Sequence, residues 1–254
     1  MGSAECGTEA ACFGIEVGGG EPVSSLTAGC SRMNRPVYHR GMEGDDPSAG
    51  VAAFILAGGK SARMGSDKAF VMLDGRTLLE RALELAPSVT KDVRVVGGAE
   101  KFAAFVPVVE DVFRECGPLG GIHAALRTSA AELNLMLAVD VPFVPAELLR
   151  YLVARARGSD AIATVPRAGG WQPLCAVYRR EFGDVAEKAL RAGRYRINAL
   201  FAEIRVQAIE EEELALAGFS AGMFRNLNTP EELEAASSRI GRPGGSGDGN
   251  SFED

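Results

Sequence analysis

The chain has 254 residues, 46% of them apolar and 24% charged, which is enough for one sizeable hydrophobic core and one domain. A net charge of −7 argues against a broad basic field for nucleic acid, so an anionic ligand has to be held by local positive charge. The five cysteines show no C-x-x-C spacing and support neither a zinc site nor a disulfide framework, and no run of about 18 apolar residues or secretory leader is seen, so a cytoplasmic protein without a membrane partner is expected.

Residues 1 to about 50 are rich in Gly, Ser, Glu and Pro, include Gly18-Gly19-Gly20 and carry no sustained period, so they read as a disordered tail. Met33 and Met42 lie in it, and Met42 is a candidate start that an intact mass from the native host would test. The ordered domain is expected over 51–240, with a second flexible tail over 241–254 from Gly241 and Pro243 onward.

Within the domain, Val51–Leu56 reads as a strand. Thr77–Ala86 reads as a helix with Leu78, Leu79, Ala82, Leu83 and Leu85 on one face, stopped by Pro87. Short β-rich runs follow at Val93–Val96 and Val106–Val109, then a helix over Pro118–Thr128 opened by Gly117. Leu133–Val139 is almost continuously apolar, the pattern of a central strand covered on both faces. Next come a helix at Pro145–Arg157, strands at Ala161–Val165 and Pro173–Tyr178 around the Gly169-Gly170 turn, and a helix at Glu181–Arg191. A strand at Ile204–Ile209, a short helix at Glu210–Leu216 and a last helix at Thr229–Ser238 complete the pattern. The alternation predicts an α/β fold with a doubly wound, mostly parallel sheet, whose ligands bind beyond the carboxyl ends of the strands.

The first strand runs into Leu56, Ala57, Gly58 and Gly59, followed by Arg63, Gly65 and Lys68. Glycines free the backbone to bring its N–H groups against phosphate oxygens, Arg63 offers a planar fork, and Lys68 a compact charge on a flexible stem. A tight strand-to-helix turn is the plainer reading of the glycines alone. The spacing is neither that of a P-loop nor that of the dinucleotide fingerprint.

Further on, Asp140 leaves the most apolar strand immediately before Val141 and Pro142. A carboxylate there suits Mg²⁺, which takes one or two carboxylates with phosphate and water oxygens, and equally suits a helix cap or Asx turn. Asp111 ends another strand ahead of Gly117-Pro118-Leu119-Gly120-Gly121. Asn226, Asn228, Thr229, Pro230 and Glu232 fit a capping box with Thr229 as N-cap and Pro230 at the first helical position. His39 and His123 are the two histidines, and neither has a nucleophile partner at a recognisable spacing.

The segment Leu56 to Lys68 resembles the L-A-G-G-x-S-x-R-M-G-x-D-K signature of the molybdenum cofactor guanylyltransferases, with every fixed position met. The resemblance continues through Asp111 with Gly117–Gly121, Asp140-Val141-Pro142-Phe143, Pro173–Tyr178 and Asn226–Glu232, from about Ala52 to Ala236. It implies a single Rossmann-like sheet of the nucleotide-diphospho-sugar transferase type. It also implies transfer of GMP from GTP to the molybdenum-molybdopterin cofactor, with Mg²⁺ as cofactor and molybdoenzymes or their chaperones as further partners.

Carried over position by position, the resemblance assigns Arg63, Lys68 and Asp140 to catalysis, with Asp140 also holding the metal. Leu56, Ala57, Gly58, Gly59, Lys68, Asp111 and Asp140 fall to GTP, and Asn226 and Asn228 to the acceptor. Trp171, Gln172, Arg194 and Arg196 are further acceptor-side candidates, with packing and solvated helix-end roles as their plainer readings. The chain departs from the pattern after its second core strand, where a family member has an Asn that touches GTP and this sequence has Gly97-Gly98. Cytidylyltransferases of the same fold usually read L-A-A-G at the first loop and lack the Gly117–Gly121 segment, so both features favour guanine. A non-catalytic nucleotide-binding partner of molybdoenzymes is the alternative of another class, against which Lys68 and Asp140 together argue.

Overall fold

The computed structural model of the chain describes residues 48–58, 67–227 and 232–233. All of them belong to one of the two units into which the chain divides, Arg40–Asp254. The expected tails, apart from a turn at 48–50, lie outside the described residues, as do the candidate starts Met33 and Met42.

In chain order the elements are β1 (Val51–Leu56), β2 (Met72–Leu73), β3 (Arg76–Thr77), α1 (Leu78–Leu85), β4 (Val93–Val96), α2 (Ala99–Phe102), β5 (Val108–Val109) and α3 (Pro118–Thr128). They continue with β6 (Leu133–Ala138), α4 (Ala146–Arg157), β7 (Ala163–Arg167), β8 (Cys175–Arg179), α5 (Phe182–Arg191), α6 (Ile197–Leu200), β9 (Val206–Glu210) and α7 (Glu211–Leu216). Seven strands form one sheet in the order β5-β4-β1-β6-β8-β7-β9. Every pairing is parallel except the two made by β8, so six strands point the same way and β8 alone is reversed.

The two most apolar runs became the two central strands. All six residues of both β1 and β6 are buried, as a strand covered by helices on each face requires. Asn134 is the polar residue of β6, and its amide donates to the Tyr178 carbonyl at 3.2 Å, so its burial is partly compensated. A capping box between Thr77 and Glu80 starts α1, the Thr77 hydroxyl accepting from the Glu80 N–H at 3.1 Å. On α3 eight consecutive residues from Leu119 to Leu126 are buried, because the helix packs on the sheet and on α5 together.

Several boundaries moved for identifiable reasons. The strand expected over Val106–Val109 shortens to Val108–Val109, since Pro107 has no N–H and contributes only its carbonyl, to Val95 at 3.0 Å. The strand expected at Ala161–Val165 shifts to Ala163–Arg167 and contains Pro166. Its ladder to β8 stops at Thr164, and Pro166 pairs on the β9 side. Pro173 belongs to a turn closed by Cys175 N–H to Gln172 O at 3.1 Å, so β8 starts at Cys175. Of the helix expected over Thr229–Ser238, only Glu232 and Leu233 are described, and they are helical.

The β2–β3 hairpin was legible but not anticipated: Asp74 at φ 52° and Gly75 at φ 76° make the left-handed turn that an Asp-Gly pair favours. Among the described residues no helix is long and apolar enough to cross a membrane.

Candidate active site

The carboxyl ends of β1, β4, β5 and β6 lie on one side of the sheet, and of the residues singled out from sequence Leu56, Ala57, Gly58, Lys68, Asp111 and Asp140 lie at or just beyond them. Ala57 N–H extends the β1 ladder to the Val96 carbonyl at 3.1 Å, and the Leu56 carbonyl accepts from Val139 N–H at 3.3 Å. Leu56 and Ala57 are therefore buried, whereas Gly58 is exposed at the mouth. Gly59 and Arg63 lie outside the described residues.

The chain is described again from Asp67, which caps a 3-10 turn over Lys68–Phe70 by accepting the Ala69 N–H at 3.2 Å. Lys68 Nζ lies 3.3 Å from Asp140 Oδ2, although 72 residues separate them in sequence. Both side chains are about one-fifth exposed, at 21%, so the pair sits at the edge of water. The Asp140 carbonyl also accepts the Leu227 N–H at 3.0 Å, and Leu227 is 1% exposed. That anchor brings exposed Asn226 to the rim beside Asp140, while Asn228 falls outside the described residues.

Asp111 follows β5 and rests against the first turns of α3. A Cβ at Gly121 would stand 3.5 Å from Asp111 Oδ1 and 3.2 Å from Val96 Cγ1, and one at Gly120 only 2.8 Å from the Phe113 carbonyl, so these glycines let the loop and its carboxylate approach the helix. Asp111 Oδ1 is buried without a hydrogen-bond partner among the described residues, and burial raises the pKa of its carboxyl above the ordinary aspartate value. An orphaned buried acceptor of this kind is suited to a donor arriving with a ligand.

Among the described residues no three His, Cys, Asp or Glu side chains gather around a point that would hold a metal ion. The donor chemistry at Asp140, a single part-exposed carboxylate beside the Lys68 ammonium, still suits Mg²⁺, which completes its shell from phosphate and water.

The other sequence candidates divide. Trp171 packs against Phe201, with ring centroids 5.0 Å apart, and Arg167 stacks on it at 5.3 Å, so packing accounts for it. Gln172 donates to the Ala168 carbonyl at 2.9 Å inside its own turn. Arg194 is paired with Glu203, while Tyr195 and Arg196 are exposed in the loop after α5. Arg191 at the end of α5 lies 5.8 Å over the ring of Phe113, two residues after Asp111. His123 is buried, its ring edge-on to Phe113 at 5.1 Å and its Nε2 3.5 Å from Glu187 Oε2.

Sequence reasoning gave no role to Asp67, Lys101, Phe102 or Glu110. Lys101 Nζ pairs with Asp67 Oδ2 at 2.8 Å, and Glu110 Oε1 accepts the Ala99 N–H at 3.2 Å at the start of α2. Asp67 was visible as a fixed position of the loop signature, but its partner on another element had no local signal.

A glycine-bearing strand-to-loop turn, followed by a lysine that faces a carboxylate across the carboxyl ends of parallel strands, defines a nucleotide-binding enzyme of the nucleotidyltransferase class. The chain belongs to the family of the MobA-like NTP transferase domain, whose model matches residues 53–223.

It is 35% identical over 193 residues to a molybdenum cofactor guanylyltransferase from Desulfosudis oleivorans, covering 75% of this chain and 96% of that one. It is 33% identical over 186 residues to a molybdenum cofactor guanylyltransferase from Syntrophotalea carbinolica, covering 72% and 89%. The crystal structure of molybdopterin-guanine dinucleotide biosynthesis protein A from Archaeoglobus fulgidus superposes with a TM-score of 0.67 at 29% identity, covering 74% of this chain and 98% of that one. The sheet is thus of the nucleotide-diphospho-sugar transferase type that the sequence led us to expect.

Proposed function

We propose that this chain is a molybdenum cofactor guanylyltransferase, moving the guanylyl group of GTP onto the terminal phosphate of a molybdenum-bearing pterin and releasing pyrophosphate. The observation that carries the reading is the convergence of Lys68, Asp140 and Asp111 at the carboxyl ends of the parallel strands, from three distant stretches of a chain whose relatives carry that name.

In the reaction a pterin phosphate oxygen bonds to the α-phosphorus of GTP, and the bond from that phosphorus to the bridging oxygen of the β-phosphate breaks. The phosphomonoester nucleophile has a second pKa near ~6 and is already ionised at neutral pH, so no general base is required. That is consistent with a histidine, His123, that is 3% exposed and packed against Phe113 and Glu187.

The protein's work is positioning and charge stabilisation. Lys68 and Arg63 bind the triphosphate, the backbone of Leu56, Ala57, Gly58 and Gly59 lies along the nucleotide, and Asp111 Oδ1 accepts a donor from the nucleoside. Asn226 and Asn228 face the acceptor. Mg²⁺ held by Asp140 would neutralise charge on the triphosphate and the departing pyrophosphate. We place the reaction in the cytoplasm, with molybdoenzymes or their chaperones as recipients of the product.

The test is pyrophosphate release by Lys68→Ala and Asp140→Ala. Each removes one preorganised charge and is expected to lower kcat by ~10²–10³ while the protein stays folded. A variant that keeps half of the wild-type rate takes its residue out of the mechanism.

A further inference from the structure

We propose that the short helix α2 is a bracket that positions Lys68, with Lys101 and Phe102 as positioning residues; this rests on the reading of Lys68 as a triphosphate ligand. Two independent contacts tie α2 to the turn that carries Lys68. Lys101 Nζ pairs with Asp67 Oδ2 at 2.8 Å, one residue before Lys68. Phe102 stacks on Phe70, two residues after it, with ring centroids 5.7 Å apart and planes inclined by 23°.

Asp67 uses its other oxygen to cap the same turn at Ala69 N–H, so a single carboxylate both starts the turn and moors it to α2. The carboxylate of Asp67 also holds the Lys101 ammonium above its ordinary pKa.

The bracket itself is fastened to the sheet. Glu110, just beyond β5, accepts the Ala99 N–H at 3.2 Å, and Phe102 is 1% exposed, its ring lying where a Cβ on Gly97 would be. Gly97 in turn continues the ladder, donating to the Val109 carbonyl at 3.0 Å. Position and orientation therefore pass from β4 and β5 through α2 to both flanks of Lys68. The turn needs this support: it is three residues long, and Phe70 is 39% exposed, so it has little core of its own beyond Ala69.

The glycine at 97 acquires a role on this reading. A side chain at position 97 would occupy the space of the Phe102 ring, so the absence of an Asn there goes with a phenylalanine that braces the phosphate-binding turn.

The experiment uses the full chain with Lys101→Met, Lys101→Arg and Phe102→Leu, each alone and combined with Lys68→Ala. Two readouts are taken: amide hydrogen exchange of residues 67–71 without ligand, and affinity for Mg-GTP by calorimetry. Lys101→Met is expected to speed exchange in that segment and weaken Mg-GTP binding about twofold to fivefold, the scale of a partly exposed ion pair, while Lys101→Arg keeps both. In the Lys68→Ala background the same change should cost no further affinity, because a positioning residue acts only through the residue it positions.

Unchanged exchange in Lys101→Met and Phe102→Leu overturns the bracket. Faster exchange with an affinity loss that persists in the Lys68→Ala background overturns the positioning role. A wild-type chain that shows no Mg-GTP binding, with the exchange response intact, overturns the reading of Lys68 while supporting the bracket.

Discussion

Replacing Gly97 by alanine tests the packing beneath the cleft with a single methyl group. The backbone there is not in the left-handed region, so the substitution carries no conformational penalty and its cost comes from contact alone. The added Cβ would stand 2.6 Å from Cε2 and 2.9 Å from Cδ2 of Phe102. Carbon atoms rest at about 3.5–4.0 Å, so the ring has to withdraw by roughly 1 Å.

Phe102 is 1% exposed and stacked on Phe70, so that withdrawal disturbs the core and the Lys68 turn together. Overpacking of this kind costs about 1–3 kcal/mol. At about 2–4 °C per kcal/mol for a chain of this size, Tm should fall by roughly 2–12 °C. Gly98→Ala is the matched control: its new methyl meets only the carboxylate end of exposed Glu100, which can swing into solvent, and its Tm should stay within about 1 °C of wild type. Differential scanning calorimetry of the two variants, and of Gly97→Ala combined with Phe102→Leu, provides the measurement. The double variant should lose less than the two single losses added together. A Gly97→Ala protein with the wild-type Tm would refute the placement of the Phe102 ring.

Asp111→Asn should raise Tm at neutral pH while weakening Mg-GTP binding, because the native carboxylate is held charged in a place that disfavours charge. The folded state binds the Asp111 proton more tightly than the unfolded chain does, so wild-type stability gains as pH falls through the folded pKa and the advantage of the variant shrinks; a Tm difference that grows in acid would refute this. His123 is governed in the opposite sense, since burial is the largest influence on its ring and lowers its pKa, against an opposing pull from Glu187. Its contribution is present above the unfolded value near 6.5 and lost as pH falls, so His123→Gln should flatten the acid side of the Tm profile, and an unchanged slope below that pH would refute the assignment.

The sheet, and where the candidate site residues fall on it, were legible because their signals are local. β1 and β6 announce themselves as continuous apolar runs, and Asp140 and Gly58 follow directly from where those strands end. Only the resemblance put Lys68 and Asp140 at one site; the residue patterns did not disclose that they meet, since nothing in either segment encodes the pairing of β1 with β6 that brings their ends together.

Lys101, Phe102 and Glu110 were invisible for the same reason, because each acts on an element other than its own. Trp171 illustrates the converse: an aromatic beside a glycine turn invites a ligand role, yet Phe201 and Arg167 already cover its ring. The strand boundaries near Pro107 and Pro166 moved because proline's missing N–H limits which neighbour a strand can pair with, and sequence alone does not say which neighbour that is.

The central claim is guanylyl transfer, and the most direct measurement is pyrophosphate release by the purified chain with Mg²⁺ and loaded molybdenum cofactor, run in parallel with GTP, CTP, ATP and UTP. The account predicts turnover with GTP alone. Turnover with CTP in its place, or silence with all four while GTP binds tightly, would contradict it.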